Sequence, residues 1–254
     1  MNINPPNSGH EQVASHTPSH LSDLSLSPDF TQYMLDWYHA LKPRPLVEAL
    51  PNASRAAIVS VDLTIGFAYE GALSSPRVAA LVPRAANLFQ RAWDLGVRNF
   101  IIPQDTHSPQ TPEFAAFAPH CIRDTPESQM VPELASLPFK SSFVIQEKNS
   151  LSQTVGTEWE AWLAAHPDVT DFVVIGDCTD FCIYQSAMFL RLQANAFNLH
   201  DRRVIVPANV VDTYDLGVPL AQEIGAMPHP GDFFHLVFLY HMALNGIEVV
   251  AALT

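Results

Sequence analysis

The chain has 254 residues, 48% of them hydrophobic, with 13 basic and 26 acidic side chains and a formal net charge of −13. That length and apolar content suit one substantial core, and the acidic balance argues against nucleic acid or an anionic membrane surface as partner. With three cysteines, no run as long as a membrane span and no basic–apolar leader, a reducing, cytoplasmic location is expected.

In chain order, residues 1–26 are rich in Asn, Ser, Pro and His with little to bury, and read as a disordered tail. Residues 28–41 carry an N-cap signal and helical periodicity through Tyr33, Met34, Trp37, Ala40 and Leu41. Pro43, Pro45 and Pro51 then mark a linker, so 27–52 reads as a helical extension and 53–254 as the main domain. From residue 56 a strand–helix rhythm sets in. Strands are predicted at 56–62, 98–103, 142–147, 171–176, 202–206 and 247–250. Helices are predicted at 76–96, 127–136, 155–166, 182–197, 217–227 and 231–245. This alternation predicts an α/β fold, three α/β/α layers around a mostly parallel six-stranded sheet. Chemistry in such sheets collects at the carboxyl ends of the strands.

Four polar features fall at those ends. In the run Val173-Val174-Ile175-Gly176-Asp177-Cys178-Thr179-Asp180-Phe181-Cys182, a buried strand passes through a sharp turn into a helix. Cys182 thus falls near a helix N-terminus, where the dipole favours a nucleophilic thiolate; the alternative is a buried structural cysteine. Asp62 ends the apolar strand Ala56–Val61 and reads as a general base for the thiol or as a turn cap. Lys148, one of three lysines in the chain, closes Phe143-Val144-Ile145-Gln146-Glu147. Its charge beside a carboxylate and a thiol would hold both as anions; otherwise it is a solvated strand end.

The fourth feature is Asp105-Thr106-His107 followed by Glu113 and His120 in a proline-rich loop. Asp and His two apart in extended chain point the same way, and a later His or Glu completes a mixed N/O set for a divalent ion. A hydrogen-bonded loop without metal is the competing reading. The C-terminal stretch His229–His241 is rich in histidine, and its histidines read as surface or hydrogen-bonded side chains, the alternative being that Asp232 and His235 approach a subunit interface or the site mouth.

Together, Val61-Asp62 with Phe67, the D-x-H and F-x-P-H-C stretch over 105–121, Lys148 and the G-x-x-T-D-x-C run over 176–182 resemble the isochorismatase-like cysteine hydrolases. Within that superfamily the nicotinamidases are nearest, and the resemblance runs from Ala56 to the C-terminus. It implies a triad of Asp62, Lys148 and Cys182, and metal ligands Asp105, His107 and His120, with Glu113 at a variable position. It also implies one divalent ion (Zn, Mn or Fe), a cis peptide at Asp177–Cys178, and an oxyanion hole from the backbone N–H groups of Cys178 and Cys182. Phe67 and Phe117 fall where relatives hold a planar ring. The implied reaction is hydrolysis of a small amide, nicotinamide first, through a thioester on Cys182. Alternatives are an N-carbamoyl amine or maleamate-type substrate, or a non-catalytic binding protein of the same fold. A homo-oligomer is also implied. Cys178 is expected behind the site, or as a redox partner of Cys182. The long extension, Thr64-Ile65-Gly66 and the histidine-rich tail depart from the family pattern.

Overall fold

Runs of β-branched and aromatic residues pair as parallel strands because both of their faces are covered by helices. The computed structural model describes residues 28–254; the expected tail at 1–26 lies outside the described residues. In chain order the main elements are α1 (Pro28–Ala40), β1 (Ala56–Val61), α2 (Val82–Leu95), β2 (Asn99–Asp105), β3 (Phe143–Lys148), α3 (Trp159–Ala165) and β4 (Asp171–Asp177). They continue with α4 (Cys182–Ala196), β5 (Arg203–Pro207), β6 (Val211–Asp212), α5 (Val218–Ile224), α6 (Gly231–Leu244) and β7 (Glu248–Val250).

The sheet order is β3-β2-β1-β4-β5-β7, with β6 added to the end of β4, and every pair is parallel. The added strand β6 is two residues long, too short for a periodicity to announce it. Strand order reverses between β1 and β4, so a crevice opens beyond their carboxyl ends. Alternate side chains feed two cores. Ile58, Phe100, Val173 and Ile175 pack with Phe89 of α2 on one face; Val59, Val174, Trp159, Ile183 and Leu239 fill the other.

Gly176 leaves no room for a side chain against β1. Its φ is +117°, and a Cβ there would lie 2.0 Å from the carbonyl oxygen of Val61. Only glycine lets β4 press against β1 at this point.

Four predicted helices are shorter than their sequence patterns: α3 begins at Trp159 rather than at 155, α5 ends at Ile224 rather than at 227, and two others are divided or reduced. The 76–96 segment divides into Pro76–Ala79 and α2. Pro83 near the start of α2 has no N–H to continue the earlier turn. Of 127–136, a 3-10 turn at Pro126–Ser128 and one α-helical turn, Pro132–Ala135, form; Thr64 pairs with Met130 between them. The expected linker is tied down: Arg44 and Leu46 donate backbone hydrogen bonds to Ala252 and Thr254, and Leu46, Ala49 and Leu50 join the main core. Helix α1 lies on α6, with the Trp37 ring edge-on to Tyr240 at 5.2 Å. Among the described residues, no helix is long and apolar enough to cross a membrane.

Candidate active site

Three strand ends deliver the charged residues. Asp62 follows β1 in a left-handed conformation, φ 55°, which few non-glycine residues adopt outside functional sites. Its side chain is 1% exposed. The bend turns its carboxylate toward β2, where Oδ1 accepts the Asp105 N–H at 2.8 Å. Lys148 ends β3 as the register partner of Asp105. Its ammonium is fully buried and meets Asp105 Oδ1, Asp62 Oδ2 at 2.8 Å, the Ser150 carbonyl at 3.3 Å and Cys182 Sγ at 3.5 Å. Cys182 opens α4, and its Sγ lies within 4.8 Å of a carboxylate oxygen of Asp62. The expected triad residues therefore meet at one point.

Burial and charge set the protonation states. Burial and the neighbouring Asp105 charge push the Asp62 carboxyl up to about 6, although Lys148 pulls the other way. Burial works likewise on Asp105, but Lys148, His107 and His120 outweigh it and hold the carboxylate ionised. Burial opposes the charge on Lys148, yet Asp105 and Asp62 keep it protonated. Burial also pushes the Cys182 thiol up; Lys148 favours the thiolate while Asp62 and Asp105 oppose it. The resting sulfur is thus a thiol beside a carboxylate. The helix terminus and Lys148 alone do not make it a standing thiolate.

The turn before Cys182 contains the cis peptide Asp177–Cys178. Among the described residues neither the Cys178 nor the Cys182 backbone N–H finds an acceptor, so both are free to serve an incoming oxygen. The turn is held from behind. Thr179 N–H donates to the Asp212 carbonyl at 2.9 Å, and the Thr179 hydroxyl meets His235 Nδ1 at 2.9 Å. His235 is therefore hydrogen-bonded, as expected, and it supports this turn. Asp212 in turn accepts from Arg77, whose other arm reaches the exposed Asp232.

Beside this cluster, one ligand atom each of Asp105, His107 and His120 lie within 4.8 Å of one another, all buried. Asp105 Oδ2 is 3.4 Å from His107 Nε2 and 3.7 Å from His120 Nε2. His120 Nδ1 donates to the Ala118 carbonyl at 2.8 Å, which leaves Nε2 as the electron-pair face. Asp105 Oδ2, His107 Nε2 and Glu113 Oε1 are buried without hydrogen-bond partners. Glu113 Oε1 lies 3.8 Å from His107 Nε2, just outside the tight group. Buried, unpartnered carboxylate and imidazole atoms aimed at one point fit a divalent cation.

Both groups open onto one cavity. Phe67 and Phe117 line it as expected. The sequence reading did not assign Phe181, Tyr214, Leu73, Leu151 or Asp177, which also line it. Phe181 and Tyr214 stack on His229, whose Nε2 meets Asp180 at 2.8 Å. Cys121, Cys178 and Cys182 are all free thiols.

The family model described as Isochorismatase domain matches residues 56–215. Nicotinamidase 1 of Arabidopsis thaliana is 29% identical over 231 residues, which cover 83% of this chain and 90% of that protein. The crystal structure of a nicotinamidase from Bacillus subtilis superposes with a TM-score of 0.62 at 22% identity, covering 77% of this chain and 98% of that one. The pyrazinamidase of Pyrococcus horikoshii in complex with zinc gives a TM-score of 0.60 at 20% identity, again over 77% and 98%. These two structures share the fold. With the domain match spanning more than half of its length, the chain belongs to the isochorismatase family.

Proposed function

We propose that this chain is a cysteine amidohydrolase that converts nicotinamide and water to nicotinic acid and ammonia. One observation carries the reading. A thiol beside a carboxylate and an ammonium opens onto the same cavity as an unpartnered Asp–His–His group, between aromatic walls. The similarity to a nicotinamidase along most of the chain supports it.

In this reading Asp62 takes the Cys182 proton as the sulfur attacks the amide carbon. The Lys148 charge steadies the sulfur as it becomes anionic. The carbonyl oxygen gains its negative charge against the N–H groups of Cys178 and Cys182. Asp62 returns the proton to the departing nitrogen, ammonia leaves, and the acyl group stays on Cys182 as a thioester. Asp62 then takes a proton from water, which attacks the thioester; the C–S bond breaks, the thiol is re-formed and the acid leaves. Phe67 and Phe117 hold the planar ring.

Asp105, His107 and His120, with Glu113 alongside, would hold one divalent ion, and this N/O set suits Zn, Mn or Fe. When bound, the ion supplies a Lewis-acidic anchor for a pyridine nitrogen.

The test is ammonia release from nicotinamide by the wild type and by Cys182→Ala, each with and without a chelator. Release in the wild type, loss in the variant and weakening by chelator are expected. A folded, metal-loaded wild type that releases no ammonia overturns nicotinamide as substrate.

A further inference from the structure

Five aspartates are buried among the described residues: Asp62, Asp105, Asp171, Asp177 and Asp180. Four of them meet a basic side chain. Asp62 and Asp105 meet Lys148, Asp171 meets Arg203 at 3.0 Å, and Asp180 meets His229 at 2.8 Å. Asp177 meets none.

Asp177 ends β4, is 1% exposed, and lines the same cavity as Cys182. The Cys178 side chain is its chain neighbour, and Oδ1 has no partner in the protein. The other ionisable groups that bear on it are Asp62, Asp180 and Asp212, all acidic, and burial together with those charges pushes its carboxyl well up. The mechanism above gives it no task.

Such a residue is costly to keep. An unsatisfied polar atom in an apolar strand end costs stability that a leucine or valine there would not. A local rule broken at a cavity wall, with no compensation from the protein, points to compensation from a ligand. The carbonyl of the scissile amide is already served by the two backbone N–H groups of the turn, and its nitrogen by Asp62, which returns a proton to it. The missing partner is therefore a donor elsewhere on the substrate.

We propose that Asp177 is a specificity-determining residue whose Oδ1 accepts a hydrogen bond from an N–H or O–H donor on the substrate other than the scissile amide. The preferred substrate class is then an aromatic amide whose ring carries an amino or hydroxyl group. This inference rests on the amidohydrolase reading and narrows it.

The experiment compares kcat/KM for nicotinamide with kcat/KM for its ring-amino and ring-hydroxy derivatives, in metal-loaded wild type, Asp177→Leu, Asp177→Val and Asp177→Asn. The wild type is expected to favour the best donor-bearing derivative over nicotinamide by about fivefold or more, the worth of one hydrogen bond. Asp177→Leu and Asp177→Val are expected to erase that ratio. Asp177→Asn keeps an acceptor oxygen and is expected to keep most of the preference. A ratio unchanged from wild type in either folded apolar variant overturns the proposal and leaves the amidohydrolase reading standing. A wild type that hydrolyses no member of the panel overturns both. Because only the ratio between two substrates is read, a general loss of packing does not mimic the expected result.

Discussion

Lys148 and Asp105 are register partners at the carboxyl ends of β3 and β2, and the Lys148 ammonium rests on Asp105 Oδ1 while Oδ2 faces His107 and His120. One carboxylate thus belongs to both halves of the site. It neutralises the ammonium beside the thiol with one oxygen and offers the other to the imidazoles. The parallel pairing of two strands ending in opposite charges brings this about, and the fold alone dictates it.

Asp105→Asn is therefore expected to disturb both halves at once. The amide gives Lys148 no counter-charge and gives the imidazole group no anionic ligand. Breaking a buried pair from one side costs about 3–5 kcal/mol. Thermal denaturation should show a much lower Tm, and metal analysis of purified protein should show lost occupancy. A variant with wild-type Tm and metal content would contradict the shared-carboxylate geometry.

Lys148→Met removes the cation that faces Asp62, Asp105 and the sulfur. The Asp62 carboxyl then rises above its present value of about 6, and the thiol rises further, since Lys148 opposes both shifts. The expected loss in kcat is at least about a hundredfold. Lys148→Arg is not expected to restore activity, because a planar guanidinium does not fit a fully enclosed ammonium site. Steady-state kinetics on nicotinamide reads both outcomes.

Asp62 sets an acid limit on the reaction. It accepts the thiol proton only when ionised, and burial with the Asp105 charge has moved its pKa from 3.8 to about 6. The kcat/KM profile is expected to fall as pH drops through about 6, and Asp62→Asn should abolish turnover at every pH. Stability runs the other way. A raised acid binds more protons folded than unfolded, so its contribution is fully present below 3.8 and is lost as pH rises through about 6. A flat kcat/KM between pH 5 and pH 8 would remove Asp62 from the role of base.

Much of this was legible because strand ends are legible. Apolar runs at 56–61, 143–147 and 171–176 each stop at a polar residue, and parallel pairing brings such stops to one edge. Asp62, Lys148 and Cys182 could be read that way. Tyr214 could not: it follows the two-residue β6, whose pairing depends on β4 having gone beyond the end of β5. His229 reaches the aromatic wall through the Leu216–His229 bridge, a contact no local pattern encodes. The environment of the thiol is not legible in sequence for a similar reason. A helix terminus is visible in sequence, whereas full enclosure beside two carboxylates appears only in three dimensions.

The approach of β4 to β1 at Gly176 gives the last prediction. Adding one methyl there places it 2.0 Å from the Val61 carbonyl oxygen and 2.9 Å from its carbon, and neither backbone atom can step aside as a flexible side chain can. Gly156 is the natural control, with φ +74° but nothing within 4 Å of an added Cβ. Gly156→Ala carries only the conformational penalty of a positive φ, about 1 kcal/mol. Gly176→Ala carries that penalty and the clash, and is expected to lose at least about 3 kcal/mol in urea denaturation. It must also separate the strand that ends at Asp62 from the one that leads to Cys182, so kcat in its folded fraction should fall with stability. Equal destabilisation by the two substitutions would show that strand contact at the switch point contributes nothing beyond the glycine conformation itself.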